Sequence, residues 1–285
     1  MHITLNGARL YVDIDGAGLV PDGQAMREKP TLILLYGGPG ADHSLYKPGF
    51  SALADAAQIV YYDHRGNGCS TGDDPADWTL AQWADDLKTL CDTLSIVKPV
   101  VLGVSFGGFV AQAYATRYPD HPGKLILAST AAHMDFAKVY AAFATLGGPE
   151  AEAAARAYWG TPTVESRARS REICVPLYTV AGRGAAPDWL HRIQRRDDVA
   201  IHFNGPANEQ GRMDFRGSLA NVRCPVLLMA GAQDPITPMP FAEEIAHHVR
   251  PDLLQFERFD ACGRGIFPDQ PARAYATVRE VLQNS

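Results

Sequence analysis

Residues 100–110 read Val-Val-Leu-Gly-Val-Ser-Phe-Gly-Gly-Phe-Val, and no other stretch constrains the fold as much. An apolar β-branched run ends in Gly103-Val104-Ser105-Phe106-Gly107, and a segment with helical period follows at once. That pattern describes a strand turning sharply into a helix, with a serine at the apex. Such a turn leaves no room for side chains two positions before and after the serine, where Gly103 and Gly107 stand. It presents Ser105 Oγ at the carboxyl end of a sheet and sets the Phe106 N–H at the positive end of a helix dipole. An incidental serine in a Gly-rich turn would read the same way, so the neighbouring segments must decide.

Those neighbours alternate strand and helix signals. Leu5–Ile14 reads as an opening antiparallel ribbon, with Asp15-Gly16 as a turn, and a polar stretch follows to Pro30. Thr31–Tyr36 is a continuous apolar run suited to a strand buried on both faces, and it ends in Gly37-Gly38-Pro39-Gly40. Leu45–Ala57 reads as a helix, and Gln58–Tyr62 as a strand running into Asp63-His64-Arg65-Gly66-Asn67-Gly68. Thr79 and Gln82 form a capping-box signature. Behind it, Leu80, Trp83, Ala84, Leu87, Leu90, Cys91 and Leu94 recur at helical spacing. Phe109–Tyr118 continues the helix after Ser105, and Lys124–Ser129 is a further buried strand. The rhythm implies right-handed crossovers and a mainly parallel α/β sheet with helices on both faces.

From about Met134 to Ser218 the chain turns Ala- and Arg-rich and helical, with one short strand-like stretch at Ile173–Val180. The sheet rhythm resumes at Pro225–Ala230, before Gly231-Ala232-Gln233-Asp234-Pro235. A helix at Met239–Val249, a strand at Leu253–Phe259, a loop at Gly263–Pro268 and a closing helix at Pro271–Leu282 complete the reading. The expected organisation is a core of residues 1–133 and 219–285 carrying an inserted helical cap of residues 134–218.

Composition narrows the partners. A net charge of −6 argues against nucleic acid and anionic membranes as principal partners. No apolar run approaches the ~18 residues of a membrane span, and no signal-like start precedes the first strand, so a cytoplasmic location is expected. The 5 cysteines are scattered and never CxxC-spaced, which predicts reduced thiols and neither a disulfide framework nor a metal site. The expected partner is a small ester, amide or short peptide. Oligomeric state has no signal in the sequence.

In an open α/β sheet, ligands bind beyond the carboxyl ends of the strands. Every unusual segment of this chain falls at such an end: Gly37–Gly40, Asp63–Gly68, Ser105, Thr130–His133, Asp234 and Ala261–Gly265. A serine nucleophile needs a base, an orienting acid and an oxyanion hole. The Phe106 N–H and a backbone N–H of the Gly37-Gly38 loop, that of Gly38, are the candidate oxyanion donors. Asp234, leaving its strand in a Gly-x-x-Asp turn, is the candidate acid, since the expected order along the chain is Ser, Asp, His. The same residue also fits an ordinary Asp-Pro turn.

These stretches together resemble the α/β-hydrolase fold, and within it the prolyl-aminopeptidase-like branch. The matching segments are Gly37-Gly38-Pro39-Gly40, Asp63-His64-Arg65-Gly66-Asn67-Gly68-Cys69-Ser70, Gly103-Val104-Ser105-Phe106-Gly107-Gly108 and Gly231-Ala232-Gln233-Asp234. The resemblance implies hydrolysis of an ester or amide under a helical lid, with no metal and no organic cofactor. It also exposes departures. Tyr36 stands where many relatives carry histidine, and Phe106 where peptidases of the branch often carry tryptophan, which weakens the inference of proline release.

The third departure bears on chemistry. The family's histidine follows the last strand in a Gly-His context, and Gly263-Arg264 stands there. An arginine stays protonated at any working pH and cannot accept the Ser105 proton. Four readings stay open. The chain is a hydrolase with an altered triad, or another histidine serves as base. His133, just past a strand end, is the best-placed substitute, with His43 and His64 on loops of the same face. Alternatively Arg264 anchors a carboxylate or stabilises an enolate, or the protein binds a small ligand without turnover. Arg167, Arg169, Arg171, Arg192, Arg195 and Arg196 in the helical segment read chiefly as solvated faces paired with carboxylates, and otherwise as a guide for acidic ligands.

Overall fold

The computed structural model describes residues 1–181 and 191–283. Strands β1 (His2–Leu5) and β2 (Ala8–Asp15) form the opening antiparallel ribbon, turning at Asn6-Gly7. The polar stretch after it is itself a small hairpin, β3 (Leu19–Asp22) and β4 (Ala25–Glu28), outside the main sheet. Then come β5 (Thr31–Leu35), β6 (Gln58–Tyr62), α1 (Leu80–Thr93), β7 (Val100–Val104), α2 (Phe106–Arg117) and β8 (Lys124–Ala128). The helical segment supplies α3 (Phe136–Gly160), α4 (Val164–Cys174), α5 (Asp197–Asn204) and the single-turn α6 (Glu209–Arg212). The chain returns to the sheet with β9 (Val226–Gly231), α7 (Met239–His248), β10 (Leu254–Phe259), α8 (Ile266–Asp269) and α9 (Pro271–Gln283).

The main sheet runs β1-β2-β6-β5-β7-β8-β9-β10, parallel from β6 to β10, with β2 antiparallel to β6. Alternation along the central strands feeds two cores. Ile33, Leu35 and Val101 face the side packed by α1 and α2, with Trp83, Leu87 and Phe109. Leu32, Leu34, Val100 and Leu102 face the other side, with Phe50, Phe267 and Val278. A side-chain period of two with both faces covered makes the continuous apolar runs necessary.

Several local expectations are corrected. Leu45–Ala57 is not an α-helix: short 3₁₀ turns at His43–Leu45 and Gly49–Leu53 flank Pro48, which has no N–H to continue a helical ladder. Ile173–Val180 is not a strand: its start is the last turn of α4, followed by a 3₁₀ turn at Val175–Leu177. The loop expected at Gly263–Pro268 holds the start of α8. At α1 the Thr79 hydroxyl caps the Gln82 N–H at 3.1 Å, while the Gln82 side chain turns forward to Asp86 instead of back to the cap. Residues 134–218 carry helices and no strand among their described positions, residues 182–190 lying outside them. No helix among the described residues is long and apolar enough to cross a membrane. All 5 cysteines are free thiols.

Candidate active site

Ser105 sits between β7 and α2 with φ 58° and ψ −120°, a strained conformation for a residue with a side chain. Its N–H donates to the Ala128 carbonyl at 3.0 Å, and its own carbonyl accepts from the Thr130 hydroxyl at 2.9 Å. A Cβ on Gly107 would run into the Leu35 carbonyl, and one on Gly103 into the Gly107 carbonyl. The tight crossing of β5, β7 and α2 therefore needs glycine at both places. Phe106 is the first residue of α2, so its N–H has no partner within the helix. The Gly38 N–H is likewise without a partner among the described residues, whereas the Gly37 N–H donates to the Tyr46 hydroxyl at 3.3 Å. Burial pushes that Tyr46 hydroxyl's pKa up, with the nearby Arg264 charge acting against it.

Asp234 leaves the end of β9 and is 2% exposed. Its Oδ1 accepts from the N–H groups of Ile236 at 2.8 Å and Thr237 at 3.0 Å, and its Oδ2 from the Thr237 hydroxyl at 2.7 Å. Arg264 is delivered to it by a close crossing of the loops after β9 and β10. A Cβ at Gly231 would strike the Gly263 carbonyl, so only glycine permits the approach. The Ser129 hydroxyl donates to the Arg264 carbonyl at 2.8 Å, and the Asp269 carboxylate holds the Gly263 N–H at 2.7 Å. The Arg264 guanidinium is thus fixed between two partners. Its Nη1 donates to Asp234 Oδ1 at 3.2 Å, to Oδ2 at 3.1 Å and to Thr237 Oγ1 at 3.1 Å. Its Nη2 donates to Ser105 Oγ. The Tyr178 ring lies under the guanidinium, 5.9 Å from its centroid to Cζ.

The sequence-derived set Ser105, Asp234, Arg264, Gly38 and Phe106 therefore meets at one place. The histidines do not. His43 Nδ1 bonds Asp63 Oδ1 at 2.9 Å; burial draws its pKa down, but the hydrogen bond and charge of Asp63 outweigh that and raise it. His64 is enclosed by Tyr36, Tyr62, Trp83 and Phe106, has no partner for either ring nitrogen, and is pushed down to about 3 by burial. His133 pairs by its backbone with Asp214. None of the three touches Ser105 Oγ or lines the cavity above it.

That cavity has a volume of about 540 Å³, and Ser105 and Arg264 are part of its lining. Tyr46, Phe50, Phe109, Trp159, Tyr178 and Phe267 give it apolar walls, and Trp159 and Tyr178 come from the helical segment. Tyr46, Ser129, Thr237 and Asp269, which orient the loops, carried no motif in the sequence. Their roles arise from approaches between distant segments. The arginines of the helical segment divide. Arg169 and Arg196 are surface residues paired with Glu150 and with Asp73 and Asp198, as expected, while Arg167, Arg171, Arg192 and Arg195 line the cavity. Among the described residues no cluster of side chains is suited to a metal ion.

The chain belongs to the α/β-hydrolase fold family, whose model matches residues 30–271. Its likeness within that family is to the prolyl-aminopeptidase-like branch. A proline iminopeptidase of Lactobacillus helveticus is 27% identical over 270 residues, 90% of each chain. The 3-oxoadipate enol-lactonase 2 of Acinetobacter baylyi is 27% identical over 238 residues, 82% of this chain and 81% of that one. Among solved structures, a proline iminopeptidase of Mycobacterium smegmatis superposes with a TM-score of 0.76 at 23% identity, covering 99% of this chain and 97% of the other.

Proposed function

We propose that this chain is an α/β hydrolase of a small ester or amide with an altered triad. Ser105 is the nucleophile, the Gly38 and Phe106 N–H groups form the oxyanion hole, and Asp234 is the acid. Arg264 holds the place of the base. Residues 134–218 act as the cap, a role supported by Tyr158, Trp159 and Tyr178 of this segment lining the cavity that Ser105 also lines. The observation that carries this reading is the Arg264 guanidinium spanning Asp234 and Ser105 Oγ.

That bridge changes the chemistry in a definite way. A guanidinium facing Ser105 Oγ stabilises negative charge on the oxygen but takes no proton from it. Attack on an acyl carbon then loses its proton to water or to the leaving group, and hydrolysis of the acyl-enzyme also lacks a base. Acylation by reagents with good leaving groups should therefore outrun turnover. A fluorophosphonate probe tests the assignment on the chain itself, on Arg264→His and on Ser105→Ala. Labelling should rise by at least about a hundredfold in Arg264→His, given losses near 10⁶-fold when the base is removed from such triads. It should vanish in Ser105→Ala. Equal labelling with and without Arg264→His, abolished by His133→Ala, would transfer the base's role to His133 and sink this assignment.

The absence of any titratable base in contact with Ser105 Oγ among the described residues favours one alternative, a protein that binds its ligand without turning it over. Ligands that raise the melting temperature with no product formed would mark that case.

A further inference from the structure

The loop that carries Gly38 is tied at both ends and left open in the middle. The Gly40 N–H donates to Asn67 Oδ1 at 2.7 Å, and the Gly40 carbonyl accepts from the Arg196 N–H at 3.0 Å. At the other end the Gly37 N–H donates to the Tyr46 hydroxyl at 3.3 Å. Between them the Gly38 N–H is without a partner among the described residues. Tyr46 has capacity left over. A phenol both accepts and donates. Its oxygen accepts from Gly37, and its own proton has no acceptor among the described residues. Burial pushes its pKa up, so the proton stays on the oxygen at any working pH and the group is a donor. The ring is held in place. The Tyr46 N–H donates to the His43 carbonyl at 3.0 Å, closing the 3₁₀ turn that Asp42 caps, and Phe50 packs edge-on with ring centroids 5.2 Å apart. The reacting atom is close. A Cβ on Gly37 would stand 3.6 Å from Ser105 Oγ, so the amide that Tyr46 accepts from belongs to the residue beside the nucleophile. Tyr46, Gly38 and Ser105 line one cavity. Of the other described tyrosines there, Tyr158 accepts from Arg167 and Asn204, and the Tyr178 and Tyr275 hydroxyls make no bond to this loop.

We propose that the Tyr46 hydroxyl is a third oxyanion donor, a catalytic residue completing the hole that the Gly38 and Phe106 N–H groups begin. The proposal rests on the hydrolase reading above and adds a residue to that site. When Ser105 Oγ bonds the acyl carbon, the π electrons of the carbonyl move onto its oxygen. Tyr46 donates a hydrogen bond to that charge and keeps its own proton. A donor fixed beside the nucleophile before the reaction needs no reorganisation as the charge develops, which is where such groups gain their effect.

Fluorophosphonate labelling of the full chain and of Arg264→His, with aryl acetate hydrolysis by the latter, tests this. Tyr46→Phe keeps the ring and should slow Ser105 labelling at least about tenfold in both backgrounds, a conservative figure against the ~100-fold or more typical of a lost oxyanion donor. In Arg264→His it should lower kcat by a similar factor and move KM less than about threefold, since the bond strengthens only as charge forms. The loss should be equal for p-nitrophenyl and phenyl acetate, because the oxyanion is common to both. Removing the hydroxyl also frees the Gly37 N–H, so a second replacement separates the two roles. 3-Fluorotyrosine at position 46 is a stronger donor and a poorer acceptor than tyrosine, and should label as fast as the unaltered protein or faster. Melting temperatures show whether the variants are folded. A slowdown with 3-fluorotyrosine overturns the proposal, making Tyr46 a holder of the loop. So does a loss that grows with the poorer leaving group, which assigns the hydroxyl to the departing oxygen. Ser105 labelled at equal rates with and without Tyr46→Phe defeats this inference alone; no labelling of Ser105 in either background defeats the hydrolase reading and this inference with it.

Discussion

Two buried arginine–aspartate pairs serve this molecule in different ways. Arg65 and Asp86, each 1% exposed, form a closed pair: Nε donates to Oδ2 at 2.8 Å and Nη2 to Oδ1 at 2.9 Å. The remaining capacity is used up nearby. Nη2 also reaches the Asn6 carbonyl at 2.7 Å, and Asp86 Oδ1 accepts from Asn6 at 3.0 Å and Gln82 at 2.9 Å. Arg264 and Asp234 form an open pair. There the carboxylate is satisfied mostly by its own turn, a single guanidinium nitrogen faces it, and the other faces Ser105 at the cavity floor. The same two side chains lock a core when every donor is turned inward, and equip a site when one is turned out.

The closed pair should be the costlier to break. Asp86→Ala leaves Arg65 with Asp77, at 3.3 Å and itself half-exposed, as its remaining charge partner. A loss of about 3–5 kcal/mol in urea unfolding is expected for such an orphaned buried charge. Asp234→Ala leaves Arg264 beside Ser105 and the solvent of the cavity, and should lose about 1–3 kcal/mol. Equal losses would erase the distinction between closed and open.

The parts of this structure that were legible in the sequence are those fixed by local sterics or period. The elbow could be read because Gly103 and Gly107 answer a clash within a few residues of Ser105. The α1 stripe could be read because Leu80, Trp83, Leu87 and Leu90 are all buried on one face. Asp86 on the same helix was not legible, since its reason for burial is Arg65, 21 residues away. The meeting of Arg264 with Asp234 was expected only through family resemblance, because the Gly231–Gly263 crossing that brings them together leaves no periodic signal. Ile173–Val180 misled because a short apolar run fits a strand and a buried helix end equally. The cationic cavity was half visible: the arginines are conspicuous in the chain, but which face they present is decided by α3, α4 and the Asp197 contact.

His64 offers a control for the comparison, as a buried group able to carry positive charge but lacking any aspartate. Its pKa in the folded protein, about 3, lies below the ordinary value of 6.5, so the unfolded chain binds the proton more readily. Its contribution is complete above pH 6.5 and is lost as pH falls from there toward 3, by at most about 1.4 kcal/mol per pH unit. Unfolding measured from pH 7 to 5 should therefore be flatter in His64→Phe than in the unaltered chain. Superimposable slopes would assign the acid sensitivity to other groups.

The smallest expected effect separates the two pairs most cleanly. Thr237 donates its hydroxyl to Asp234 Oδ2 at 2.7 Å and accepts from Arg264 Nη1 at 3.1 Å, while Gln82 donates to Asp86 at 2.9 Å. Thr237→Val and Gln82→Met each remove one neighbour of an aspartate at similar volume, and each should cost about 1 kcal/mol of stability. Their effects on Ser105 should differ. With Arg264→His in place, Thr237→Val leaves Asp234 less firmly aimed and should slow fluorophosphonate labelling several-fold. Gln82→Met, acting on the closed pair, should leave labelling unchanged. A matching slowdown in both would mean that the two pairs communicate through the sheet, and that the open pair is not a separate unit of the site.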